Sequence, residues 1–194
     1  MPALYLASAS PRRQELLRQL GVSFEVRPSS LDEVRDSGET PEAYVERVAA
    51  DKARYVARQL AAEGKASAAV LGADTEVVLG DEVLGKPRDR KAAQAMLARL
   101  SGRTHRVLSG LCLVTPAGEY RALSESLVTF APLSADEIER YAATGEADDK
   151  AGGYAIQGRA AGFISRLEGS YSGVMGLPLH DLRSILLQAG VIGS

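Results

Sequence analysis

The run AAVLGADTEVVLG at 68–80 restricts the fold more than any other stretch of this chain. It is rich in β-forming residues, and Gly80-Asp81 suits a turn before a second extended piece, EVLGKP. Two more strand signals follow at HRVLSGLCLVT and YRALSESLVTFA, joined by the turn residues PAGE. Helix signals fall before, between and after these runs. Such an irregular alternation, with hairpins among the crossovers, implies an α/β fold whose sheet is mixed rather than all-parallel.

The helices are marked by their caps. Near the N-terminus, LYLASASPRRQELLRQLG opens with a short strand from Leu4 to Ala7, and Ser10-Pro11 then reads as an N-cap with proline in the first helical position. Leu16, Leu17 and Leu20 give that helix an apolar face and Gly21 stops it. A strand around Val22 to Arg27 leads to the polar loop SSLDEVRDSGE. Thr40-Pro41 begins a long helix in which Tyr44, Val45, Val48, Ala49, Lys52, Tyr55 and Val56 recur at helical spacing. Asp89 caps a helix from Arg90 to Leu100, and Ser134 with Glu137 forms a capping box for another from Ala135 to Thr144. A late strand near FISRLEG and a helix from around Pro178 complete the chain. The polar, glycine-rich stretch GEADDKAGGYAIQGRAAGFI is too long for a simple connector and reads as a functional loop. With no repeat, low-complexity segment or linker, residues 1–194 are expected to form one domain.

Composition removes several classes of function. The net charge of −2 leaves no basic stripe, so extended nucleic acids are poor partners, whereas a small anion in a local basic pocket stays open. The single cysteine, Cys112, excludes an internal disulfide or a CxxC site and reads as a buried core thiol. The first residues are too short and polar a stretch for a signal peptide, and no apolar run reaches the ~20 residues of a membrane span. A cytoplasmic protein, not membrane-bound, is expected.

Chemical promise lies in a few charged positions. Arg12 and Arg13 stand in the first turn of a helix, where the macrodipole is positive and each cation costs about 0.3–1 kcal/mol. An anion at Ser10 and the two arginines would offset that cost. Replacing both arginines by Ala is therefore expected to raise the stability of the empty protein while removing activity. Asp74 interrupts an apolar strand pattern, and a carboxylate at the end of a buried strand is costly unless paired or metal-bound. Thr75 beside it can donate or accept a hydrogen bond. Lys86 sits on a rigid Gly-Lys-Pro corner suited to a phosphate. Taken alone, Lys52 reads as an amphipathic lysine with a solvated head, and Glu33 as an exposed acid. His105 and His180 lack partners at metal or triad spacing and read as strand-end or helix residues. Neither GxxxxGK[ST], GxGxxG nor GxSxG occurs. Arginines at a helix start, lysines on loops and one strand carboxylate suit a phosphorylated small molecule with a divalent metal.

At these residues the chain resembles the Maf family of nucleoside triphosphate pyrophosphatases. The resemblance rests on LASASPRRQELL at 6–17, GADTEVVLGDEVLGKPRD at 72–89, LSGRTHRVLSG at 100–110, DKAGGYAIQG at 149–158 and FISRLEGSYSGVMGLPL at 163–179. It implies a two-lobed Maf/ITPase-like α/β fold with an elongated mixed sheet, flanking helices and a central substrate groove. It also implies hydrolysis of a nucleoside triphosphate to monophosphate and diphosphate with Mg²⁺ or Mn²⁺, and a homodimer. By resemblance Asp74 is the catalytic proton acceptor or a metal ligand, and Glu33 lies near the metal. Arg12, Thr75 and Gln157 match positions tied to substrate choice; Ser10 belongs to the same motif as Arg12. Arg13, Lys52 and Lys86 match basic positions along the phosphate groove.

The DKAGxYxIQG form is similar to the branch acting on dTTP and UTP, and a buried Gln157 amide would complement a pyrimidine imide edge. Ala155 stands where YGIQG usually has glycine, adding a methyl near the expected base pocket, and Ala147-Asp148 replaces a more usual Pro-Leu. Rival readings are the same chemistry on 7-methyl-GTP or another purine, and a nucleotide-binding regulator of septum formation without catalysis.

Overall fold

The computed structural model describes residues 3–193. In chain order the elements are β1 (Leu4–Leu6), α1 (Pro11–Gln19), β2 (Phe24–Val26), α2 (Pro41–Ala62), β3 (Ala69–Leu79), β4 (Glu82–Leu84), α3 (Arg90–Leu100), β5 (Thr104–Thr115), β6 (Gly118–Phe130), α4 (Ala135–Ala142), β7 (Ile164–Glu168), α5 (Tyr171–Val174) and α6 (Leu179–Gln188). Two 3-10 turns, Ala151–Gly153 and Arg159–Phe163, lie between α4 and β7. The expected caps all form. Ser10, Thr40, Asp89 and Ser134 each accept a hydrogen bond from the backbone N–H three residues on, and Glu137 completes the capping box.

The seven strands form one mixed sheet in the order β2-β1-β3-β5-β6-β7, with β4 also paired to β3. β1 runs parallel to β2 and β3, and every other pairing is antiparallel. β3 is the hinge of this arrangement. One edge pairs with β5 from Val70 to Val78. The other edge pairs with β1 at residues 69–71 and with β4 at 77–79. Between them, residues 72–76 have no strand partner on that side, so the sheet forks. A crevice at the carboxyl end of a parallel strand is where open α/β sheets admit ligands, and this fork opens at the end of β1.

The apolar core divides at the same place. Leu4, Leu6, Leu16, Leu17, Leu182 and Leu186 gather around the first part of β3, including Ala73. Beyond the fork, Val77 joins Leu97, Leu100, Phe130, Tyr141 and Tyr154 in a second core. Asp74, Thr75 and Glu76 are the residues between the two lobes. Asp74 is thus in the middle of an eleven-residue strand, not at its end as expected, because β3 continues through the fork into the second lobe.

Helix α2 lies unusually close over this junction. A Cβ on Gly72 would sit 2.1 Å from the Ala49 carbonyl oxygen, and one on Gly110, the cross-strand partner of Asp74, 2.7 Å from that of Val45. These glycines let the helix backbone descend onto the sheet, bringing Lys52 down to Asp74. Among the described residues no helix is long and apolar enough to cross a membrane. Cys112 is buried, and burial pushes its thiol up to about 11.

Candidate active site

A cavity of about 420 Å³ occupies the fork. Its walls are residues 7–13 from the β1–α1 junction, Glu33, Lys52 of α2, residues 74–77 of β3, Lys86 after β4, residues 149–151 with Tyr154, and residues 174–176. Every site residue expected from the sequence except Gln157 lies on this wall. Gln157 is exposed and stands outside it. Tyr154 and Ile156 turn into the second core, Ala155 between them is buried, and a turn from the Ala155 carbonyl to the Gly158 N–H leaves the glutamine at the outer corner. The expectation of a buried amide is therefore corrected. Ala155 is corrected with it, since its N–H donates to the Tyr141 hydroxyl at 3.0 Å and it too is absent from the cavity wall.

Lys52 departs most from its local reading. It is 7% exposed, and its ammonium donates to Asp74 Oδ1 at 2.8 Å while pairing with Glu33 Oε1 at 2.8 Å. The head is buried because α2 is pinned to the sheet, and a buried ammonium needs such carboxylates. Asp74 is 4% exposed, and its Oδ2 has no hydrogen-bond partner.

Arg13 is clamped. Its Nε donates to the Gly176 carbonyl at 2.9 Å, Nη2 to Thr75 Oγ1 at 3.2 Å and Nη1 to Ser8 Oγ at 3.4 Å. Thr75 Oγ1 in turn shares a hydrogen bond with Ser109 at 2.9 Å. Burial holds the Arg13 guanidinium below its usual pKa, opposed by the charges of Asp74 and Glu33. Arg13 thus ties α1 to β3 and to the segment before α6, which overturns the expectation that both arginines burden the empty protein. Arg12 and Lys86 form no ion pair with any described residue.

Ser8, Lys150 and Glu76 are among the wall residues that escaped the sequence reading. Ser8 receives Arg13 and the Ser10 N–H. Lys150 is ion-paired with Asp149. Glu76 has a buried Oε2 without a partner, and burial together with Asp74 and Glu33 pushes its carboxyl up to about 8. One signal could have found Glu76: residues two apart on a strand share a face, so an acid at 76 follows Asp74 into the same crevice.

Two carboxylates with orphaned buried oxygens are what a hard divalent cation seeks. Among the described residues no three His, Cys, Asp or Glu side chains gather closely enough to enclose an ion alone. The wall therefore suits a cation that keeps water or ligand oxygens in its shell, as Mg²⁺ does.

Comparison with known proteins agrees with this geometry. Residues 3–189 match the family described as Maf-like protein. The chain belongs to that family. This Maf-like protein is 52% identical over 195 residues to the dTTP/UTP pyrophosphatase of Cupriavidus metallidurans, covering 97% of each chain. It is 54% identical over 186 residues to that of Alkalilimnicola ehrlichii, covering 95% of this chain and 92% of the relative. A solved nucleoside-triphosphatase / dITP/XTP pyrophosphatase from Mycobacterium abscessus is 23% identical with a TM-score of 0.44, over 68% of this chain and 74% of that one, a likeness that carries no argument.

Proposed function

We propose that this Maf-like protein is a nucleoside triphosphate pyrophosphatase that hydrolyses dTTP and UTP to the monophosphate and diphosphate. One observation carries the reading: Asp74, whose buried Oδ2 has no partner, lines the same cavity as the arginine-headed start of α1. Relatives about half identical over nearly their whole length bear the same activity in their names.

In this reading the phosphate tail lies between the α1 N-terminus, Arg12, Arg13 and Lys86, where N–H groups and cations meet developing negative charge. Lys52 fixes Oδ1 of Asp74, which leaves Oδ2 either to accept the proton of a water attacking the α-phosphorus or to hold a cation that would activate that water. Charge building on the departing diphosphate is met by Arg12 and Lys86, wall cations that neither form an ion pair nor, unlike Arg13, are clamped by neutral acceptors. Thr75 acts on substrate choice through Arg13, whose guanidinium it holds. Mg²⁺ or Mn²⁺, held by Asp74 with Glu33 nearby, would supply Lewis-acid stabilisation of the phosphoryl oxygens. The chain acts as one domain, in the cytoplasm and as a homodimer, clearing nucleotides from the pool.

The test is a nucleotide panel with Mg²⁺ and with Mn²⁺, following monophosphate and diphosphate together. dTTP and UTP should be cleaved fastest, with diphosphate and not inorganic phosphate released. Faster cleavage of 7-methyl-GTP or another purine would overturn the base assignment. Binding of nucleotide without hydrolysis would favour the regulator.

A further inference from the structure

We propose that Glu76 is a direct ligand of the divalent cation, sharing it with Asp74; the proposal rests on the reading of this cavity as a metal–nucleotide site. The two residues are neighbours on one face of β3, so their side chains leave the strand about 7 Å apart, a span two carboxylates can close on one ion. The other acids of the wall are already committed. Glu33 Oε1 is held by Lys52 at 2.8 Å, Asp149 is held by Lys150, and Asp74 Oδ1 is held by Lys52. Among the buried carboxylate oxygens of the described wall residues, Asp74 Oδ2 and Glu76 Oε2 remain without a partner. Glu76 has no salt bridge with any described residue, so its charge serves no visible purpose in holding the fold. Yet it occupies a half-buried place in a strand that would accept a Val, as positions 77 and 78 do.

Substrate charge points the same way. A triphosphate brings several negative charges into a cavity that already holds Asp74 and Glu33, and Lys52 is spent on those two acids. A dication between the two free carboxylate oxygens and the phosphates removes that repulsion. It also gives both orphaned oxygens a partner. Two protein carboxylates, with water and phosphate oxygens filling the rest of the shell, is a common arrangement for Mg²⁺.

The test measures Mn²⁺ binding to the nucleotide-free full chain, by calorimetry and by the EPR signal of unbound Mn²⁺. A second arm adds an α,β-imido analogue of dUTP. Glu76→Gln should weaken Mn²⁺ binding at least tenfold and cancel most of the rise in Tm that Mn²⁺ gives the wild type. Without metal, the Tm of the variant should equal or exceed that of the wild type, because the Glu76 carboxyl makes no bond or ion pair with a described residue that the variant would lose. Glu76→Val, which keeps a strand-forming side chain, should behave alike. Mn²⁺ affinity within twofold of wild type overturns the proposal, as does absence of Mn²⁺ binding by the wild type in both arms. A lower metal-free Tm in both variants also overturns it and makes Glu76 structural. Metal binding that depends on Glu76 in a protein that cleaves no nucleotide would sink the pyrophosphatase reading and leave this one standing.

Discussion

The second lobe and the fork bury polar groups on the same central strands, and they treat them in opposite ways. In the lobe, His105 on β5 is 2% exposed, its Nε2 bonded to the Tyr154 hydroxyl at 2.7 Å. Its ring meets Phe130 edge-on at 5.3 Å, and its Nδ1 has no partner. Burial pushes the imidazole down to about 4, so it stays neutral, and a neutral ring tolerates one idle nitrogen in an apolar wall. In the fork, Lys52, Asp74 and Glu33 are interlocked by ion pairs, and the idle atoms are buried carboxylate oxygens of Asp74 and Glu76, two residues that line a cavity. Orphaned atoms alone therefore do not mark a site. Charge and access to a cavity decide whether the missing partner is a ligand.

The largest effect that could break this distinction is at Asp74. Asp74→Asn keeps the shape and removes the proton acceptor, so turnover should fall about 10²–10⁴-fold while nucleotide binding persists. Single-turnover diphosphate release and calorimetric binding together check this. Undiminished turnover would make the fork as structural as the His105 cluster.

Next in size is Arg13, which belongs to both categories. Arg13→Ala removes three hydrogen bonds from a cationic donor and strands the Thr75 and Gly176 acceptors. A loss of about 2–3 kcal/mol in stability is expected by urea denaturation, together with loss of turnover. Arg13→Lys should restore little of either, since an ammonium cannot span the three acceptors in the planar fork of a guanidinium. Stability equal to or above wild type would restore the view that this arginine only awaits an anion.

What could be read from the sequence divides along the range of the interactions. The caps at Ser10, Thr40, Asp89 and Ser134 act over three residues, and all four were legible. The α/β class with a mixed sheet followed from the strand runs and the PAGE hairpin, and His105 and His180 do lie at the starts of β5 and α6. The candidate residues of the motifs came together because the β1–α1 junction and β3 meet at the fork. Their bonding was not legible. Lys52 reaches an acid 22 residues away only because Gly72 admits α2, and Arg13 finds a carbonyl 163 residues away. Glu76 was hidden by reading β3 as ending near Asp74. The burial of Gln157 was misjudged because that of 154–156 does not extend one residue further.

The lobe offers a smaller test through pH. The folded state holds the His105 pKa at about 4 against the 6.5 of an ordinary histidine, so it binds fewer protons than the unfolded chain between those values. The resulting stability is present above pH 6.5 and is lost as pH falls toward 4. Between pH 7 and pH 5 the wild type should lose about 2 kcal/mol more than His105→Gln, by urea denaturation at each pH. Turnover at pH 7 should change far less than in Asp74→Asn. Parallel stability profiles would mean that the imidazole is not held neutral, and the contrast between lobe and fork would weaken.

The smallest expected effect separates the two adjacent arginines. Arg12 stands in a first turn of α1 that contains no acidic residue, makes no ion pair, and repels Arg13. The dipole cost that Arg13 recovers through its three acceptors is left standing for Arg12, moderated by the nearby charge of Asp149. Arg12→Ala should therefore raise the stability of the nucleotide-free protein by about 0.3–1 kcal/mol at low salt, the size of a charge–dipole term at a helix end. The gain should shrink in 0.5 M salt, because a half-buried charge is screened. Thermal unfolding at both ionic strengths reads it. Nucleotide should reverse the order, stabilising the wild type more than the variant, since the anion that the N-terminus favours is then present. If Arg12→Ala instead loses stability at low salt, Arg12 is held as Arg13 is, and the start of α1 is complete without substrate.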